Sequence, residues 1–237
     1  MAKQPTVKVS VTALGQVRIF SPLTEEELAV LAENCSWSRH EAASEVLAQN
    51  APCDEVYFIC SGRVSAKTFS DAGKEITFAE LVQGDVFGEL SALDGQPRSS
   101  FVVTLEESLL AALPAHVFNE FLDSHPKVMR ALMVELTGRL RRADEKVFEF
   151  STLNTSNRIH AELLRLASMH PAQNGAVEIT SPPTHADLAS RTNTTRESVT
   201  RTLNQLKQGG LIEATRQCLT IFDPDALTKL IRDSEAD

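Results

Sequence analysis

From Glu55 to Glu89 the chain sets short apolar runs between turn residues. EVYFIC, RVSAKTF and EITFAELV are separated by Ser61-Gly62, Asp71-Ala72-Gly73 and Gln83-Gly84. Strand-forming runs punctuated at this spacing predict a double-sheet jelly roll over residues 17–125. The stretch SPLTEEELAVLAENC leads into it and reads as a short helix. Thr24 can cap an acidic first turn, with Leu28 and Leu31 facing inward. A second short helix, PAHVFNEFLDSH, closes the domain.

The pattern then changes period. From about Pro126, Met129, Leu136, Ala143 and Phe150 recur every seven residues, as do Met133, Leu140, Val147 and Asn154. This is the narrow seam of a paired helix, broken only at its end by Asn154 and predicted over residues 126–154, with Arg139, Arg142, Glu145 and Lys146 beside it. One amphipathic helix lying on its own domain is the alternative.

Residues 155–237 read as a third region. Asn157 to Met169 forms a helix, and HPAQNGAVEITSPP is a loop with a short strand. Thr184 caps a helix carrying Asp187, Leu188 and Ala189. Asn193 falls in a turn where asparagine tolerates a left-handed backbone. A second helix starts at Thr194 or Thr195, carries Val199, Leu203 and Leu206 inward, and stops at Gly209-Gly210. LIEATRQCLTIF alternates like the hairpin of a winged helix. The fold class is therefore α+β. Residues 1–16 carry no assignment.

The chain has 237 residues and a net charge of −9. That charge argues weakly against nucleic acid, but charge acts locally. Between His185 and Gln217 stand Arg191, Arg196, Arg201, Lys207 and Arg216 against Asp187, Glu197 and Glu213, a mildly basic segment. Cys35, Cys53, Cys60 and Cys218 form no CxxC pair and read as isolated thiols of a reducing cytoplasm. No apolar run is long enough for a membrane span, and no secretory signal is visible.

The chemistry concentrates in GDVFGELSALDGQPRSS, residues 84–100. Glycines admit an anion close to backbone N–H groups, Arg98 is a forked cation, Ser99 adds a hydroxyl, and Glu89 accepts from a sugar hydroxyl. The set describes a pocket for a small ribose phosphate. A surface loop with an arginine–glutamate pair is the plainer reading.

This stretch resembles the phosphate-binding cassette of the catabolite activator (cyclic-AMP receptor) branch of the cyclic-AMP receptor/fumarate-nitrate regulator family: GEL, a spacer, then RS. TTRESVTRTL resembles the recognition helix of the same family, and the likeness runs from about Phe20 to about Phe222. It implies a homodimeric, cytoplasmic transcription regulator with a cyclic-nucleotide-binding jelly roll, a long dimerisation helix and a winged helix-turn-helix domain. In the pocket it implies Glu89 on the ribose, Arg98 and Ser99 on the cyclic phosphate, and help from Gly88, Leu90 and Ser100. Arg139 would brace Glu89, and Ala66, Phe78 and Leu81 would line the base. On double-stranded DNA, Arg196, Glu197 and Arg201 would read a TGTGA-type half-site, with Thr195, Thr200 and His185 at the same surface. RNA polymerase is the further partner implied.

One departure bears on the ligand. Ala143-Asp144 stands where the cyclic-AMP activators carry a Thr-Ser pair. An ionised Asp144 is acceptor-only, able to take the adenine amino group or, bidentately, N1–H and the amino group of guanine. Cyclic AMP is the first expectation and cyclic GMP the second. An iron–sulfur or haem regulator of the same family, a repressor with a vestigial pocket, and an enzyme are the other classes. The region before Phe20 has no cysteine cluster, the histidines show no haem signature, and no hydrolase motif, metal-ligand set or nucleophile–base pair is visible.

Overall fold

The computed structural model describes residues 7–233 apart from Cys53, Ala72, Asn174 and Arg216. The chain divides into two compact units, up to Leu140 and from Arg141 onward.

The first unit opens with α1 (Val7–Leu14) and α2 (Glu25–Asn34). Thr24 caps α2 in a reciprocal box, its hydroxyl accepting from Glu27 N–H while the Glu27 carboxylate accepts from Thr24 N–H. Eight strands follow: β1 (Ser36–His40), β2 (Glu45–Leu47), β3 (Glu55–Ser61), β4 (Arg63–Phe69), β5 (Glu75–Val82), β6 (Val86–Phe87), β7 (Phe101–Thr104) and β8 (Ser108–Pro114). They form two antiparallel sheets, β1-β8-β3-β6 and β2-β7-β4-β5, the jelly roll that the punctuation predicts. A six-residue helix that the turn signals hid, α3 (Glu89–Asp94), interrupts the strands after β6. Then come α4 (Ala115–Ser124) and α5 (Pro126–Thr152).

Strand β3 shows how the layers form. Val56, Phe58 and Cys60 pack outward against the helices, with Phe20, Leu31, Phe118 and Leu132. Ile59 and Tyr57 point between the sheets, with Leu47, Val64, Leu81, Phe87 and Val102. A strand buried on both faces needs apolar residues at both parities, which VYFIC supplies.

The heptad reading of α5 divides. Met129 and Leu136 pack on the helix-side core of their own domain. Met133, Val134, Leu140, Val147 and Phe148 are 62–64 % exposed. Asn154 leaves the seam, because its side chain accepts from Asn157 N–H and caps the next helix.

The second unit contains α6 (Thr155–Ala167), a hairpin of β9 (Ala172–Gln173) and β10 (Ala176–Thr180), α7 (His185–Arg191), α8 (Arg196–Gln208), β11 (Ile212–Ala214), β12 (Cys218–Ile221) and α9 (Pro224–Asp233). The sheet order is β11-β12-β10-β9. Ile159, Leu163, Leu188, Val199, Leu203, Ile221 and Leu227 share its core. Thr184 and Asp187 form a second capping box, and Asn193 has φ +50° in the turn between α7 and α8.

Candidate effector pocket and nucleic-acid interface

The cassette is built around a left-handed glycine. Gly88, at φ +80°, caps α3, and a Cβ there would stand 2.7 Å from Arg98 Nη1. Arg98 therefore fills the space that a side chain at 88 would need. Its Nη1 donates to Gly88 O at 2.9 Å and its Nη2 to Glu55 O at 2.6 Å. Arg98 is 4 % exposed, yet its Nε has no partner. Among the described residues its hydrogen bonds go only to carbonyls, so a buried full positive charge has no anion paired with it. Such a cation is costly alone and well matched to a phosphate.

Glu89 begins α3 and is 2 % exposed. Its Oε1 accepts from Arg139 Nη1 at 2.9 Å. Arg139 also donates through Nη2 to Val86 O at 2.7 Å and through Nε to Glu135 Oε1 at 3.3 Å. Burial pushes the Glu89 carboxyl above its ordinary range, against the lowering pull of Arg139. Ser99 is exposed and Ser100 half-buried at the far side of the loop. Gln49 fixes that side: its amide donates to Ser99 O at 3.3 Å and its oxygen accepts from Thr68 at 2.9 Å. Sequence reasoning missed Gln49, which carries no motif signal and acts through a carbonyl.

The residues expected around the base divide. Leu81 is buried and Ala66 packs against the inter-sheet core. Phe78 is not barrel core. It is the extra residue where the β4–β5 register slips between Ala66 and Lys67, which turns it outward to 52 % exposure. Leu90 is 46 % exposed, on the solvent side of α3 beside Leu93, rather than with the buried Glu89. Ala143 and Asp144 lie exposed on α5.

In the second unit, α8 buries Val199, Thr202, Leu203 and Leu206. The opposite side presents Arg196, Glu197, Thr200, Arg201, Asn204, Gln205 and Gln208 along one open helix face. Thr195 rather than Thr194 caps the helix, accepting from Ser198 N–H at 3.3 Å. Glu197 is thus at the second helical position and does not close a box with Thr194. Its own backbone N–H and the Thr195 hydroxyl hold its carboxyl below the usual range. His185 lies 2.9 Å from Thr200 Oγ1 through Nδ1. The Thr200 proton goes to Arg196 O at 2.9 Å, so the histidine is the donor and ties α7 to α8. Burial, then Arg196 and Lys207, push the His185 pKa down.

Arg191 does not join the exposed cations of α8. Its side chain is largely buried and pairs at 3.3 Å with Glu162 of α6. Glu162 also pairs with Arg165, which reaches Glu149 of α5 at 2.6 Å. Arg158 donates to Thr192 O, in the turn after α7, at 3.1 Å, and its guanidinium sits 5.7 Å from the Phe150 ring centre. Arg216 lies outside the described residues, as does Cys53. Burial pushes the Cys35 and Cys60 thiols up to about 12, which makes them unreactive.

Two family models match the chain: a cyclic nucleotide-binding domain over residues 38–125 and a Crp-like helix-turn-helix domain over 157–230. The chain belongs to the CRP/FNR family of transcription regulators. It is 26 % identical over 220 residues to the CRP-like cAMP-activated global transcriptional regulator of Mycobacterium tuberculosis, covering 92 % of this chain and 98 % of that one. It is 29 % identical to the global nitrogen regulator of a Synechocystis strain, covering 75 % and 80 %. Its fold matches the c-di-GMP-responsive regulator CLP of Xanthomonas campestris at TM-score 0.72 and 20 % identity, covering 80 % of this chain and 95 % of that one. Among the described residues no helix is long and apolar enough to cross a membrane.

Proposed function

We propose that this regulator is switched by a cyclic nucleotide, cyclic AMP first and cyclic GMP as its rival, and that the liganded dimer binds a TGTGA-like palindrome. The buried Arg98, its Nε without a partner and its Nη1 on Gly88 O, carries this reading. In it, Arg98 and Ser99 take the cyclic phosphate, with Gly88 and Ser100 helping, and Glu89 takes the ribose. Ala66 and Leu81 face the base. Phe78 and Leu90 join only if they move inward. Asp144 chooses between the bases. Residues 17–125 then form the effector module, 126–154 the dimerisation helix and 155–237 the DNA reader. Arg196, Glu197 and Arg201 read base edges in the major groove, with Thr195, Thr200 and His185 supporting them.

The exposed stripe Met133, Leu140 and Val147 fits a second copy of the same helix. A dimer places two recognition helices about one DNA turn apart, and nucleotide shifts it toward that arrangement. The protein acts in the cytoplasm, with RNA polymerase as the downstream partner.

Calorimetric titration of the full chain with cyclic AMP and with cyclic GMP tests the reading. Saturable heat with one of them, lost in Arg98→Ala, is the expected result. Binding of neither by folded protein overturns it and leaves another effector, as the c-di-GMP-responsive relative has.

A further inference from the structure

The stretch that follows α1, Gln16 to Arg18, reaches the cassette. Arg18 follows α1. Its backbone N–H donates to Gly84 O at 2.9 Å. Gly84 has φ +92°, and a Cβ there would stand 2.8 Å from Gln16 O, so the N-terminal segment seats directly on the turn entering the cassette. The Arg18 guanidinium pairs with Asp85 and lies 3.8 Å from Glu135 Oε2. Asp85 is buried and accepts from Val82 N–H at 2.7 Å, which closes the turn between β5 and β6.

Glu135 is the shared member. One oxygen faces Arg18 and the other accepts from Arg139 Nε. Arg139 in turn holds Val86 O and Glu89. Five charges of alternating sign, Asp85, Arg18, Glu135, Arg139 and Glu89, thus run from the N-terminal segment to the pocket carboxylate. Both ends are buried carboxylates on the same short stretch, Asp85 to Glu89.

Arg18 is half-exposed and its contact with Glu135 is long, so that link alone adds little to folding. Its effect is geometric. A guanidinium is a planar fork, and three acceptors on Arg139 fix its plane. That plane sets where Glu89 stands when a ribose hydroxyl must share it.

We propose that Arg18 and Glu135 are positioning residues of the effector site, and that the N-terminal segment sets nucleotide affinity through them. The inference rests on the cyclic-nucleotide reading of the pocket. Glu135 holds Arg139 directly, and Arg18 holds Glu135.

The test uses full-length Arg18→Lys, Glu135→Gln and the double variant. Lysine keeps a cation for Asp85 but cannot fork between two carboxylates. It avoids the buried uncompensated charge that Arg18→Gln would leave. Titration with whichever of cyclic AMP and cyclic GMP the wild type binds should show three- to tenfold weaker binding for each single variant, on the order expected for partly exposed ion pairs. The double variant should be no weaker than about the worse single one, since both act through one link. Thermal midpoints should stay near wild type, and amide exchange over Gly84–Glu89 without nucleotide should quicken. Wild-type affinity in Arg18→Lys overturns the proposal. So do losses that multiply independently, or an affinity loss that only follows a lowered midpoint. If the wild type binds neither nucleotide, the pocket reading fails separately. Exchange over Gly84–Glu89 then decides the bracing, and an unchanged rate in both single variants overturns it.

Discussion

Arg139 donates to Glu89 at 2.9 Å across a site where the carboxylate is almost wholly buried. Burial raises the Glu89 pKa in the folded chain despite that partner. A raised carboxyl binds its proton more tightly folded than unfolded. Its contribution is therefore fully present below the ordinary value of 4.5 and is lost as pH rises through the raised one. Glu89→Gln removes this loss. The variant should be about as stable as wild type near neutral pH, and its stability should fall less between acid and neutral solution. Its nucleotide affinity should drop about tenfold or more, since a charge-assisted hydrogen bond to the ribose is gone. Urea melts at several pH values, paired with titration, check both halves.

The exposed face of α8 predicts sequence-specific losses. Arg201→Ala or Arg196→Ala should each cost about 1–3 kcal/mol of discrimination at one base pair. Glu197→Ala should relax selection at a single position while weakening total binding less. Anisotropy competition with single-base operator variants resolves this. A uniform loss over every sequence would reassign these side chains to phosphate contact.

Glu162 predicts a different phenotype. It is buried between Arg165 and Arg191, and so joins the charges of α5, α6 and α7. Glu162→Gln removes the buried carboxylate that pairs with Arg191, at about 3–5 kcal/mol, while Arg165 keeps Glu149. The second unit should melt earlier and operator affinity should fall, while nucleotide affinity at the cassette stays at the wild-type value. Domain-resolved hydrogen exchange with a parallel nucleotide titration separates the two effects.

Acid should loosen the second unit through His160. The ring is buried, Nδ1 has no partner, and burial holds its pKa below 6.5. A depressed histidine contributes stability above its unfolded pKa and loses it as pH falls through the folded value. His160→Leu should flatten the decline in denaturant midpoint below about pH 6.5, relative to wild type. An equal slope in both proteins assigns the acid sensitivity elsewhere.

Local chemistry made parts of this fold legible. Thr24 with Glu27 and Thr184 with Asp187 announce helix starts three residues apart, and both boxes form. Asn193 marks its turn because few other residues accept φ +50°. What the sequence hides is tertiary. The heptad pattern of α5 gives two apolar positions per repeat but not which of them its own domain covers, so Met129 and Leu136 turn inward while Met133 and Leu140 stay outside. Arg191 reads as a DNA-facing cation until the buried Glu162, 29 residues earlier, is seen to hold it. The resemblance puts Phe78 on the base with Ala66 and Leu81, but one bulge in the β4–β5 register turns it outward. The cassette residues are legible as a set. Gln49 and Arg18 are not, because each works through a partner distant in the chain.

The most direct test of the account is operator affinity with and without nucleotide. Full-length wild type and Arg98→Ala would be titrated onto a fluorescent TGTGA-type palindrome at fixed salt, with saturating cyclic AMP, cyclic GMP or neither. Wild type should bind at least tenfold more tightly with one nucleotide, and Arg98→Ala should not respond. Equal wild-type affinity under all three conditions would contradict it.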